Sequence, residues 1–297
     1  MIRLVSLIAI SLCSVWAAHA GQTDLKVASL HPLITDVARQ VAGQHAHVVQ
    51  LIDPHADPHR FQPTPQSLLR AKGAQLYLAS GKNMETYLDK LRDTLGNKAK
   101  VVEVGKTIPS QKISGRDSHY VCCPVHAHGA IDPHWWHRVS NMQKAARVIA
   151  KEFAQVDPTN AEAYKANAAA YSERLAILNT WVKREVSRIP RKNRILSTAH
   201  AAFGYFCKEY GFQSLPMKGL TAHQKTSATY QAEAIKEIHK HGVKAIFPEL
   251  RANPKALQII AQETGVKIGG TLVADGAENY EKMMRENVTK IVTALAP

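Results

Sequence analysis

Residues 157–190 read DPTNAEAYKANAAAYSERLAILNTWVKREVSRIP, a long helix with a marked beginning and end. Asp157 offers an N-cap, Pro158 suits the first helical position, and Pro190 stops the run. Between them Ala161, Tyr164, Ala168, Tyr171, Leu175, Leu178, Val182 and Val186 recur at helical spacing, so one face is buried. About 30 residues at 1.5 Å each span roughly 45 Å, more than one small domain needs. Such a helix, running from one lobe to another, resists large hinge motion between them.

On both sides of this helix the chain alternates short apolar runs with polar or helical sequence. Residues 25–30, 48–52, 75–79 and 100–104 read as buried strands before it, and 194–198, 245–248 and 266–273 repeat the rhythm after it. The pattern is α/β with two similar lobes, each a mostly parallel β-sheet flanked by helices and joined by the one rigid helix. The expected organisation is residues 1–20 as an export signal, 21–156 as an N-terminal lobe, 157–189 as the connecting helix and 190–297 as a C-terminal lobe.

The signal is read from Arg3, the apolar stretch 4–17 and the small-x-small end Ala18-His19-Ala20, an h-region too short to span a bilayer. Cys13 follows Leu12 rather than a small residue, which argues against lipidation there. The mature chain is therefore expected to be exported and soluble. A net charge of +14 invites a nucleic-acid reading, but the basic residues are dispersed and no nucleic-acid motif accompanies them.

Histidine is more informative, with 15 in the chain, many of them clustered. The tripeptide Asp-Pro-His occurs at Asp53-Pro54-His55, Asp57-Pro58-His59 and Asp132-Pro133-His134. Aspartate caps a helix or turn, proline fixes the next φ, and the histidine is held on a rigid element. At a helix N-terminus the imidazole also stays neutral, the form that ligates metal. Any one of these histidines is equally a plain turn residue; the repetition points to metal. His200 follows the strand at 194–198 and Asp275 follows the run at 266–273, the strand ends beyond which open α/β sheets bind ligands. Taken singly, His200 reads also as a core or capping residue and Asp275 as a turn residue beside Gly276.

These residues carry a resemblance. Asp57-Pro58-His59-Arg60-Phe61-Gln62-Pro63-Thr64-Pro65, Ala79-Ser80-Gly81 with Glu85, Asp132-Pro133-His134-Trp135-Trp136, His200 with Ala202-Phe203-Gly204-Tyr205-Phe206, Phe247-Pro248-Glu249 and the stretch 272–276 resemble the solute-binding proteins of zinc and manganese ABC uptake transporters, over essentially the whole mature chain. The resemblance implies His59, His134, His200 and Asp275 as metal ligands, two from each lobe, with a divalent cation as cargo and a membrane permease as partner. It implies a binding protein, expected to be monomeric, and no enzyme. Three imidazoles and one carboxylate suit four-coordinate Zn²⁺, whereas Mn²⁺ prefers more oxygen ligands; its relatives place a carboxylate where this chain has His200.

His55 departs from the family pattern, so the choice of His59 over it rests on the resemblance and on Phe61 and Pro63-Thr64-Pro65. Glu249 reads equally as a partner to a ligand imidazole or as half of a loop ion pair. The segment 114–131 carries His119, Cys122, Cys123, His126 and His128, which suit a second, weaker metal site or an oxidised polar loop. With Cys207 the mature chain has an odd number of cysteines, and their pairing stays open. The rival class is a zinc hydrolase using the three histidines and a bound water, for which no His-Glu-x-x-His helix or nucleophile elbow is present. A storage or attachment protein of the same fold is a third reading.

Overall fold

The computed structural model describes residues 25–113, 131–217, 228–250 and 254–297. The expected export signal, Cys13, His119, Cys122, Cys123, His126 and His128 lie outside them.

Before the long helix run β1 (Leu25–Ser29), α1 (Pro32–Ala42), β2 (Ala46–Gln50), α2 (Pro65–Arg70), β3 (Leu76–Ala79), α3 (Leu88–Leu95), β4 (Lys100–Glu103) and α4 (Val139–Val156). After α5 (Ala161–Ser187) come β5 (Ile195–Thr198), α6 (Gly204–Tyr210), β6 (Gln213–Ser214), α7 (Ala228–His241), β7 (Ala245–Phe247), α8 (Pro254–Thr264), β8 (Lys267–Ile268) and α9 (Tyr280–Leu295). The strands form two all-parallel, four-stranded sheets, ordered β2-β1-β3-β4 and β6-β5-β7-β8. The second order repeats the first with every strand advanced by four, so each sheet reverses its direction of growth beside its first strand. That reversal opens a crevice at the carboxyl ends, where ligands of such sheets bind.

The long helix differs from its sequence reading at the start. Pro158–Asn160 form a 3₁₀ turn and the α-helix proper begins at Ala161. The carboxylate of Asp157 caps no backbone N–H; it accepts from the Asn160 side chain at 2.8 Å and from the Tyr164 hydroxyl at 2.6 Å. Tyr164, Ala168, Tyr171, Leu175, Leu178, Val182 and Val186 are buried as the stripe demands, while Ala161 is only half-buried. The 27 helical residues span roughly 40 Å at 1.5 Å per residue. The stripe packs on α1 and α4 from one half and α9 from the other, and a single hydrophobic core runs from Leu25 to Leu295 through all of them.

Two strands read differently. The run 266–273 yields only β8, because Gly269 and Gly270 interrupt it; a Cβ on Gly269 would sit 2.5 Å from the Phe247 ring. The chain resumes contact with β7's extension through one parallel bridge, Glu249 to Leu272. The strand β6 has only two residues and no apolar run to announce it.

Candidate metal centre

All three Asp-Pro-His turns are built by one device, in which the aspartate Oδ1 accepts the backbone N–H of the histidine two residues on. The distances are 2.8 Å for Asp53 to His55, 3.0 Å for Asp57 to His59 and 2.9 Å for Asp132 to His134. This is an Asx turn rather than an α-helix N-cap. His55 and His59 lie in turns, and His134 precedes only the 3₁₀ turn Trp135–His137, so the helix-dipole argument for neutral imidazoles does not apply here.

What aims the rings is side-chain bonding. His134 Nδ1 lies 2.8 Å from Asp132 Oδ1; a carboxylate oxygen accepts, so Nδ1 carries the hydrogen and Nε2 presents its lone pair. The His200 ring is aimed through its Nδ1 by Glu249. Glu249 Oε1 accepts from the backbone N–H groups of Ala199 at 3.1 Å and His200 at 3.2 Å, and Oε2 accepts from His200 Nδ1 at 2.5 Å. A carboxylate behind the imidazole fixes tautomer and direction and raises ligand basicity. Of the two readings of Glu249, the structure selects the one in which it holds the ring.

Asp275 reaches the same point on a loop clasped from several sides. Asn287 exchanges two hydrogen bonds with the backbone of Val273, at 2.9 and 2.8 Å. Ala274 O accepts from Trp136 Nε1 and His137 Nε2, both at 2.8 Å. Gly276 lies so close to the other half that a Cβ there would be 2.9 Å from Pro54 O and 3.0 Å from Pro32 Cγ.

One ligand-type atom each from His59, His134, His200 and Asp275 falls within 4.8 Å of all the others. His59 Nε2 and His134 Nε2 are 3.2 Å apart, and Asp275 Oδ1 stands 3.6, 3.5 and 3.7 Å from the Nε2 atoms of His59, His134 and His200. Four ligands about 2.0 Å from a tetrahedral ion are about 3.3 Å from one another. The side chains are 5, 2, 5 and 11 % exposed in that order. His200 Nε2 and Asp275 Oδ1 are buried without a hydrogen-bond partner, the condition of groups aimed at a cation.

The electrostatics set the protonation of the empty site. Burial alone would lower the His200 pKa, but the Glu249 and Asp275 carboxylates outweigh it and hold it well above the usual histidine value. Burial would raise that of Asp275, and His200 and His59 overrule it and hold it well below the carboxylate range. Two buried histidines nearby behave oppositely: burial takes His31 down to about 3 and His137 to about 4. His55, with an exposed side chain, is not in the cluster. The sequence reading missed Asp132 as the holder of the His134 ring, although its spacing within the motif carried that signal. It also missed Trp136 and His137, whose role depends on a loop more than a hundred residues away.

Residues 27–294 match the family described as zinc-uptake complex component A, periplasmic. The chain belongs to this ZnuA family. It is 29% identical over 291 residues to the manganese-binding lipoprotein MntA of Bacillus subtilis, covering 94% of this chain and 92% of that one. It is 29% identical over 277 residues to the zinc-binding protein TroA of Treponema pallidum, covering 89% and 86%. The TroA structure superposes with a TM-score of 0.78 at 27% identity, over 93% of this chain and all of that one. A manganese-bound periplasmic metal-binding protein of Candidatus Liberibacter asiaticus superposes with a TM-score of 0.78 at 25% identity, covering 91% and 99%. The chain is thus a metal-binding solute-binding component of an ABC transporter, and its family is one of binding proteins, which sets aside the hydrolase reading. Its relatives name both zinc and manganese.

Proposed function

We propose that this protein captures Zn²⁺ through His59 Nε2, His134 Nε2, His200 Nε2 and Asp275 Oδ1 and delivers it, outside the cytoplasmic membrane, to the permease of an ABC uptake transporter. One observation carries the reading: three imidazole nitrogens and one carboxylate oxygen, from loops of both halves, converge within 4.8 Å of one another, with the carboxylate oxygen 3.5–3.7 Å from each nitrogen. Nitrogen-rich four-coordination favours zinc over manganese, which takes more oxygen ligands and higher coordination numbers. With the fourth position filled by Asp275, no exchangeable water is needed, as suits a carrier. Manganese is the second reading, favoured by the name and bound metal of similar proteins. Export of a monomeric chain after loss of residues 1–20 completes the proposal, and among the described residues no helix is long and apolar enough to cross a membrane.

A competitive chelator titration of the metal-stripped protein, with Zn²⁺ and Mn²⁺ in parallel, tests it. The expected result is one tightly bound zinc, much weaker manganese, and loss of tight zinc binding in His134→Ala and Asp275→Ala. Tight zinc binding indifferent to both substitutions would place the site elsewhere; manganese binding as tight as zinc would overturn the metal assignment.

A further inference from the structure

Beside the cluster, His137 is buried, lies three positions after His134, and has been given no part in holding metal. Its Nε2 lies 2.8 Å from Ala274 O. A carbonyl oxygen only accepts, so this nitrogen carries the hydrogen and the bond has one direction. The indole N–H of the preceding residue, Trp136, donates to the same oxygen at 2.8 Å. Two donors occupy both lone pairs of that carbonyl, and Ala274 immediately precedes Asp275. Neither donor belongs to the half of the chain that carries Asp275. The His137 ring is in turn braced by Phe203, at 4.3 Å between ring centroids.

We infer that His137 is a positioning residue for the metal site: together with Trp136 it pins the peptide before Asp275, so that residues 134–137 present one ligand and fix another. This rests on the reading that Asp275 binds the cation. The aspartate projects from a loop that Asn287 clasps at Val273 and that rejoins its own sheet at the Glu249–Leu272 bridge, three residues before Asp275. The pin from the other half adds a hold on the peptide next to Asp275 that the described residues of its own half do not supply there, and Tyr280 reinforces it by donating its hydroxyl hydrogen to Trp136 O at 2.8 Å. His137 Nδ1 is buried with no hydrogen-bond partner, a cost that an apolar side chain at this position would avoid. A residue kept only for packing has no use for that nitrogen; a residue kept for its Nε2–H does.

The test is a zinc-affinity cycle on the full protein with His137→Leu, Asp275→Ala and the double variant, alongside His137→Gln and the melting midpoints of the metal-free forms. Groups that hold ligands typically contribute 10–100-fold to metal affinity. With Trp136 still donating, His137→Leu is expected to weaken zinc binding about tenfold without lowering the metal-free midpoint. His137→Gln, whose amide N–H reaches the same carbonyl, restores most of the affinity. In the Asp275→Ala background His137→Leu changes nothing further. Wild-type affinity in His137→Leu, or an undiminished penalty in the Asp275→Ala background, overturns the inference. If the leucine variant does not fold, His137→Phe, which keeps a ring against Phe203 and no donor, carries the same cycle. Asp275→Ala with wild-type zinc affinity would instead sink the ligand assignment itself, a separate outcome.

Discussion

At the level of single residues, the carboxylates behind the imidazoles hold the rings of the proposed ligands. Glu249 receives three hydrogens, from the backbone of Ala199 and His200 and from the His200 ring. Glu249→Gln keeps the length but leaves one acceptor oxygen and puts an NH₂ where another donor already points. Zinc affinity is expected to fall 10–100-fold, read by chelator competition; an unchanged value would mean the ring orients itself. His31 gives a pH prediction. Its Nδ1 accepts the Leu33 N–H at 3.2 Å and caps α1, so protonation there breaks the cap. Burial lowers its pKa to about 3, Asp275 pulls the other way, and His59 and His137 oppose protonation. Below pH 6.5 the unfolded chain takes up a proton that the folded chain refuses until about pH 3, so this group removes stability as pH falls through that window. His31→Asn keeps a side-chain cap without a titrating ring; denaturant melts of the metal-free protein at pH 7 and 4.5 should show a smaller acid loss than in the wild type. The repeated Asp-Pro-His turns were legible in the sequence because the Asx device is local. The turn itself does not separate His55 from His59, since the same device serves both; the choice of His59 rests on the flanking Phe61 and Pro63-Thr64-Pro65 and the family resemblance, and the tertiary path brings His59 to the cluster.

At the level of elements, legibility followed the length of the apolar signal. Strands β1 to β5 and β7 lie within one or two residues of their apolar runs, and α5 showed its buried face residue by residue. Strand β6, with two residues, left no local trace, and β8 lies inside the run 266–273 but is cut short by glycines packed against Phe247 and Lys290. The helix α5 is also where mechanics can be tested. Leu175 and Leu178 are fully buried in the core that both halves share. Leu175→Ala should cost about 2–5 kcal/mol by removing buried atoms and leaving a cavity. Since α5 packs on α1, α4 and α9 together, the loss should appear as one lowered urea midpoint with an unchanged slope. Two separated transitions would show that the halves fold independently and that the helix is a tether rather than a shared spine.

For the whole molecule, hydrogen bonds join the two halves at several points, and the candidate metal site is one of the places where they meet. Tyr280 N–H donates to Asp36 Oδ2 at 2.8 Å, Gln111 N–H donates to the Tyr205 hydroxyl oxygen at 2.9 Å, and Trp136 and His137 hold Ala274. A cation entering this arrangement meets a prepared pocket and must chiefly displace protons. His200, between Glu249 and Asp275, keeps its proton well above the usual histidine pKa, while Asp275 stays ionised. On the proposed ligand set zinc takes the lone pair of His200 Nε2, so binding at pH 7 should expel about one proton per ion. Calorimetric titrations in buffers of different ionisation enthalpy measure that number directly. Over the range in which metal-free His200 is protonated and no other proposed ligand titrates, affinity should fall about tenfold per unit of acidification. His200→Ala should lose both the proton release and that slope. Zinc binding that releases no proton in the wild type would show either that His200 is neutral in the empty protein or that it does not reach the metal, and the His200→Ala affinity tells which.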